Sequence, residues 1–311
     1  MRQVITIFVA LALHVAASAQ GPSPAWSASL APIRATAEGT ASTRPLRINV
    51  VKFAESRRTK NFSVQGAPAE PSVQARTAFQ VVYAGGTVMI DAGMDEQVHR
   101  FFGRGVAEPY DAAAARQVEE ALVRARRIVF THEHGDHIAG MLRSPRAEEL
   151  APKTILTEEQ ERSLRTAPQM PEIALTPELA DRLRIGVPRP ITPTSPRIAV
   201  RRYDKYTPLG SGMVLIKAAG HTPGSQMIYV VVESGREYLL VGDVTWHMDG
   251  VREVKGKDAP WVTEDRAAVL AQLAWLNGLS RTEPLLLIVA SHDEEQRMDL
   301  IRRGLLGGTF E

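Results

Sequence analysis

The chain has 311 residues, 44% of them hydrophobic and 23% charged, with a formal net charge of +2. That is the composition of an ordinary soluble globule long enough to enclose one large core, and so near-neutral a balance excludes nucleic-acid binding by bulk electrostatics. There is no cysteine, which excludes disulfides and thiolate metal ligands and leaves the redox compartment open.

At the N-terminus, Met1-Arg2 precedes an apolar stretch from Val4 to Ala17 and the small residues Ala17-Ser18-Ala19. This pattern predicts an export signal over residues 1–19, cleaved between Ala19 and Gln20. The competing reading is a membrane anchor. The stretch is shorter than the roughly 20 residues a spanning helix needs, and His14 interrupts it, so export is favoured. No further long apolar run follows, so the mature protein is expected to be secreted or periplasmic, without a membrane span. Residues 20–45, rich in Ala, Ser, Thr and Pro, read as a loose tail, and the folded domain is expected over 46–311.

Residues 46–53 alternate as a strand does, and 79–83 with 87–90 around Ala84-Gly85-Gly86 predict a β-hairpin. Residues 111–126 predict a helix. A strand over 127–131 then delivers Thr131-His132-Glu133-His134-Gly135-Asp136-His137, which holds three of the chain's eight histidines. Imidazole and carboxylate suit zinc and related divalent ions. Alternating side chains point the same way, so His132 and His134 can share one ion, while Asp136 and His137, beyond Gly135, can reach a second. The plain alternative is a polar loop with chance histidines.

Between His137 and His221 the chain is rich in proline, with nine of its 20 prolines from Pro145 to Pro196. Short helices are predicted around 157–165 and 176–184. Residues 185–196 are expected to be irregular, because Pro188, Pro190, Pro193 and Pro196 each lack an amide donor. This insert, at about 144–200, reads equally as a surface connector or as a cap over the ligand loop.

The later chain supplies further ligands. His221 follows the apolar run 213–216, Asp243 ends 238–243, and His292 follows 285–291. Strands are predicted at 227–232 and 237–241, a helix over 263–276 with Thr263 as its N-cap, a strand at 285–290 and a closing helix at 294–303. Singly, each of His221, Asp243 and His292 is more simply a structural or turn residue; at the ends of apolar strands they form a constellation where functional groups collect.

The pattern His-x-His-x-Asp-His, then Gly220-His221-Thr222-Pro223-Gly224-Ser225, then Gly242-Asp243, then His292 resembles the metallo-β-lactamase superfamily of hydrolases. Met89-Ile90-Asp91-Ala92-Gly93 also resembles the superfamily's early strand, whose Asp braces the ligand loop. The resemblance implies a four-layer αβ/βα sandwich, of mixed α/β and α+β character. It also implies two divalent metal ions, zinc first with iron or manganese as alternatives. His132, His134 and His221 would hold one ion, Asp136, His137 and His292 the other, and Asp243 would bridge them. The implied reaction is hydrolysis of a small-molecule lactone or carboxylic ester by a bridging hydroxide that Asp136 orients by accepting its proton. A bridging Asp243 and Ser291-His292-Asp293 are similar to the acyl-homoserine-lactone lactonases. Those enzymes carry a Tyr where this chain has Trp246, so His247 is the substitute expected to assist at the substrate carbonyl. Two other reactions fit the same ligands: β-lactam hydrolysis and phosphodiester hydrolysis. A non-enzymatic metal-binding interaction module is the remaining alternative, and oligomeric state is open.

Overall fold

A computed structural model describes residues 26–39, 43–185 and 198–311. The expected export signal and its cleavage point, and Pro188 to Pro196, lie outside the described residues. Eleven strands are described: β1 (Arg47–Thr59), β2 (Pro71–Tyr83), β3 (Gly86–Ile90), β4 (Arg127–Val129), β5 (Ile155–Thr157), β6 (Ala199–Arg201), β7 (Tyr206–Gly210), β8 (Met213–Lys217), β9 (Gln226–Val231), β10 (Glu237–Leu240) and β11 (Leu286–Val289). One sheet has the order β1-β2-β3-β4 and the other β11-β10-β9-β8-β7. Neighbours are antiparallel except β3 with β4 and β10 with β11, which are parallel.

The two sheets face each other over a shared core. Ile48, Val50, Val81, Ile90 and Val129 from the first meet Met213, Leu215, Ile228, Leu240 and Val289 from the second. Alternation along β1 sends Val51 and Phe53 to the opposite face, where Val118, Leu122, Ile138 and Leu142 of the helices Ala112–Arg124 and Gly135–Leu142 cover them. The outer face of the second sheet is covered by Ile33, Leu273 and Leu276 of the helices Leu30–Glu38 and Arg266–Thr282. Helix, sheet, sheet, helix is the four-layer sandwich the sequence predicts. Both faces of each sheet are buried, which is why these strands read as nearly continuous apolar runs.

Two expectations need correction. Residues 30–38 of the expected loose tail form a helix: Leu30, Ile33 and Ala37, spaced for one face, are buried against the second sheet, and Arg34 pairs with Glu237 and Glu283. The long C-terminal helix starts later than predicted, at Arg266, and its N-cap is Asp265, whose carboxylate accepts from the Ala268 amide. In the insert, the two expected short helices are present as Glu158–Thr166 and Pro177–Arg182. β5 and β6 pair in parallel, and Leu156, Leu164, Ile173 and Leu183 join the core beneath the first outer layer.

One glycine fixes how the ligand helix sits. The Gly140 amide donates to the Gly93 carbonyl at 2.8 Å, and a Cβ on Gly140 would run into the Ala92 carbonyl oxygen. Helix Gly135–Leu142 therefore packs backbone to backbone on the loop that begins at Asp91.

Candidate metal centre

All seven sequence-predicted ligands meet at one end of the sandwich, carried there by strand ends from both sheets. After β4 the chain bends at Thr131 and runs to His134, the extended N-cap of helix Gly135–Leu142. Extended backbone puts His132 and His134 on one side and Glu133 on the other. The first helical turn then presents Asp136 and His137. His221 leads the loop after β8, Asp243 sits in a single 3-10 turn after β10 (Gly242–Val244), and His292 follows β11.

The donor atoms fall into two adjoining sets. Nε2 of His132 and Nε2 of His221 lie 3.2 and 3.1 Å from Nδ1 of His134. Nitrogens held 2.0–2.1 Å from a tetrahedral zinc lie about 3.3 Å apart, so this spacing is that of a cage. In the second set, Nε2 of His292 lies 3.4 Å from Oδ2 of Asp136 and 3.0 Å from Oδ1 of Asp243. Nε2 of His137 lies 3.5 Å from each of those oxygens. The other oxygen of Asp243, Oδ2, faces the first set, 3.6 Å from His221 and 3.8 Å from His132. Oδ2 also lies 3.2 Å from Nε2 of His292, so it stands between the two sets while Oδ1 faces the second, and one carboxylate reaches both.

Two atoms at the centre are buried with no hydrogen-bond partner, Nε2 of His137 and Oδ1 of Asp243. Buried polar atoms are rarely left so, and a shared cation satisfies both, so the residues fit a metal pair. The outward ring nitrogens are held. Nδ1 of His137 lies 2.8 Å from Asp91, Nδ1 of His221 lies 3.0 Å from Glu264, and Nδ1 of His292 lies 2.6 Å from the Ala75 carbonyl. Each acceptor places the proton on Nδ1 and turns the Nε2 lone pair inward. Asp91 also accepts from the Thr131 amide and hydroxyl, tying the ligand loop down.

Electrostatics follow from burial and these contacts. Burial lowers His132, His134 and His221; neighbouring imidazoles deepen the shift of His132 and of His134, which falls to about 3, and Lys257 adds to that of His221. Burial also opposes charge on His137, but Asp136, Asp91 and Asp243 outweigh it and hold its ring well above the usual range. Asp136 is held well below the usual carboxylate range, burial notwithstanding, by His137, Arg76 and His292. Asp243 is likewise held low by His292, His137 and His132.

A pH dependence follows for the metal-free protein. An unfolded histidine titrates near 6.5, so below that pH the unfolded chain takes up protons that His132, His134 and His221 refuse. The stability of the metal-free fold therefore declines as pH falls below about 6.5, each of the three lowered rings acting in that direction. His137 has the opposite sign: its contribution is complete below about 6.5 and cannot offset the loss. Thermal melts in a chelator are expected to show a Tm several degrees lower at pH 5.5 than at pH 7.0; an unchanged Tm would contradict the shifts.

His247 is not brought to the cluster. It is the N-cap of helix Met248–Glu253, its Nδ1 accepts from the Asp249 amide at 3.1 Å, and its ring lines a separate depression beside Asp293. The capping geometry turns the ring away from the substrate side, so the expected role at the carbonyl finds no support. Trp246 is there instead, and its indole N–H donates to Oδ2 of Asp243 at 2.7 Å.

The metal cluster opens into a cavity of about 350 Å³ with walls from Phe101, Phe102, Trp246 and Trp261 and a basic side from Arg58, Arg76 and Arg104. Of the described part of the insert, Gln169 reaches this mouth, accepting from the Gly135 amide at 2.9 Å. Sequence reasoning missed four supporting residues. Arg76 pairs with Asp136. Glu133 accepts from Thr222 and the Gly224 amide, binding the two ligand loops together. Glu264 backs His221, and Lys257 lies 2.9 Å from Glu264 while donating to the Asp243 carbonyl. Only Glu133 carried a signal, its alternation with His132 and His134.

The family description of the Metallo-beta-lactamase superfamily matches residues 73–292. No curated protein matches the chain. Among solved structures, an N-acyl homoserine lactone hydrolase with N-hexanoyl-L-homoserine at its catalytic metal centre is similar at a TM-score of 0.61 and 14% identity, over 83% of this chain and 97% of its own. A mutant of AiiA from B. thuringiensis with N-decanoyl-L-homoserine bound has a TM-score of 0.61 and 15% identity, over 83% and 97%. The dizinc quorum-quenching lactonase AidC has a TM-score of 0.54 and 15% identity, over 82% and 90%. The chain belongs to the metallo-β-lactamase superfamily and is a metal-dependent hydrolase of that fold.

Proposed function

We propose that this hydrolase opens lactones or cleaves carboxylic esters using two divalent ions in the adjoining cages. His132, His134 and His221 would hold one ion, Asp136, His137 and His292 the other, and Asp243 would join them. The observation that carries the reading is the Asp243 carboxylate standing between the cages, Oδ1 toward His137 and His292 and Oδ2 3.2 Å from His292, 3.6 Å from His221 and 3.8 Å from His132. An imidazole and carboxylate donor set favours zinc, with iron or manganese as alternatives. Ions bound there supply an activated water at neutral pH and Lewis acidity toward a carbonyl.

The chain's own groups supply the rest. Asp136 accepts a hydrogen bond from the attacking water and orients it. The Trp246 indole fixes Asp243 and so spends its N–H there rather than on substrate. Phe101, Phe102 and Trp261 offer apolar walls to an acyl or aryl group. The similarity to lactonase structures supports a cyclic or open ester. The export pattern at 1–19 supports action outside the cytoplasm.

The test is a substrate panel on metal-analysed protein: homoserine lactones of varied acyl length, aryl esters, a chromogenic β-lactam and an aryl phosphodiester. Turnover of lactones or esters, with about two equivalents of metal, is expected. Turnover confined to the β-lactam or the phosphodiester would overturn the substrate class.

A further inference from the structure

The second cage contains a cation of its own. Arg76, from β2, is buried, and its Nη1 sits on Oδ2 of Asp136 and 3.5 Å from Nε2 of His292. These are the oxygen and nitrogen that the second ion would use. The guanidinium is not a surface group that has folded inward. Its Nη2 donates to the fully buried Ser56 hydroxyl at 3.0 Å, and its Cζ lies 4.7 Å from the centre of the Phe102 ring. The first cage differs. The nearest cation to it, Lys257, is held behind the ligands by Glu264 and the Asp243 carbonyl.

Charge decides between the cages. On donors alone, the second should bind more tightly, because it adds Asp136 to the shared Asp243, and Asp91 stands behind His137. Arg76 cancels the charge of Asp136 and occupies a lone pair on the oxygen that would ligate. A dication entering there must either displace the guanidinium from a buried socket or sit within a few ångströms of it, in surroundings that screen poorly. Neither cost falls on the first cage.

We propose that Arg76 makes the two metal sites unequal. The His132, His134, His221 and Asp243 cage fills first. The Asp136, His137 and His292 cage binds its ion at least about 100-fold more weakly, so metal supply sets how much of the protein carries both ions. This rests on the two-ion reading above. It also assigns Arg76 a positioning role, holding the Asp136 carboxylate turned into the cage while the second ion is absent.

The test is equilibrium titration of chelator-stripped full chain with Zn²⁺, read by calorimetry, and with Co²⁺, read by its visible absorption, which reports ligand field rather than turnover. Wild type is expected to fill in two steps with dissociation constants at least about 100-fold apart. Arg76→Gln, which keeps a polar side chain of similar reach without the charge, should bring the two within about tenfold, and Arg76→Lys should keep them apart. If Arg76→Gln does not fold, Ser56→Ala, which frees Nη2, should narrow the gap in the same direction. Equal sites in wild type, or a gap that Arg76→Gln and Ser56→Ala leave unchanged, would overturn the inequality and leave the hydrolase reading standing. Failure of wild type to bind any ion would overturn both.

Discussion

Replacing Asp243 by Asn is expected to lower turnover by on the order of 10³-fold and to reduce bound metal from two equivalents to one. The substitution keeps shape and removes one charge, so its effect is not a packing effect. Asp243 meets three kinds of partner: Oδ2 accepts from the Trp246 indole and stands between His292 and the first cage, Oδ1 faces His137 and His292, and its carbonyl accepts from Lys257. In the variant the amide oxygen stays with the indole, its only donor, and the NH₂ then points at the Nε2 lone pairs of His137 and His292. An amide N–H cannot ligate a cation, so the second cage loses a ligand and gains two obstructing hydrogens. The first cage keeps its three imidazoles. The metal-free variant should also be less stable at neutral pH, since His292, His137 and His132 outweigh burial and favour the carboxylate in the folded state. The measurements are metal content after dialysis, kcat/KM on the best lactone or ester, and Tm in chelator. Retention of both ions with a rate within tenfold of wild type would remove the bridge from the proposal.

How much of this was legible follows from the range of each signal. The ligand loop is local: three histidines and an aspartate within six positions, after an apolar run, need no tertiary information. His221, Asp243 and His292 are far apart in sequence but share a local sign, an apolar strand just before each, and parallel or antiparallel pairing of β8 to β11 brings those ends together. His247, expected to substitute beside Trp246, lies seven residues past β10, where the direction of a side chain depends on backbone turns that composition does not encode. There a 3-10 turn and a helix cap rotate it away. Arg76 carried no sign at all. It is one arginine in a strand, and only the pairing of β1 with β2 sets it over Ser56 and beside Asp136. The helix Leu30–Glu38 had its apolar spacing in plain view, but Pro, Ser and Thr around it suggested a tail. Its stability comes from burying that face on β7 to β9 rather than from propensity.

Asp91 is where fold and chemistry depend on one side chain, so Asp91→Asn and Asp91→Ala should differ in an informative way. Asp91 is buried, its φ is 63°, and it accepts from the Thr131 amide at 2.7 Å, the Thr131 hydroxyl at 2.9 Å and Nδ1 of His137 at 2.8 Å. Asn tolerates a left-handed backbone nearly as well as Asp, so Asp91→Asn isolates the charge. Its amide can satisfy Thr131 or His137, but not both, and His137 loses the anion that orients it. Metal affinity is expected to fall 10- to 100-fold, with a stability loss of about 3 kcal/mol. Asp91→Ala removes every acceptor and adds about 1 kcal/mol of left-handed strain. It should therefore be the less stable of the two, while losing metal to a similar extent. Asp91→Gly separates the terms, because glycine removes the strain and restores no acceptor: its Tm should lie above that of Asp91→Ala if strain matters, with metal affinity still reduced. Chelator competition and thermal melts on the same samples read the two quantities separately. A chelator midpoint for Asp91→Asn equal to wild type would show that His137 is oriented without Asp91, and the loop after β3 would then have only a packing role.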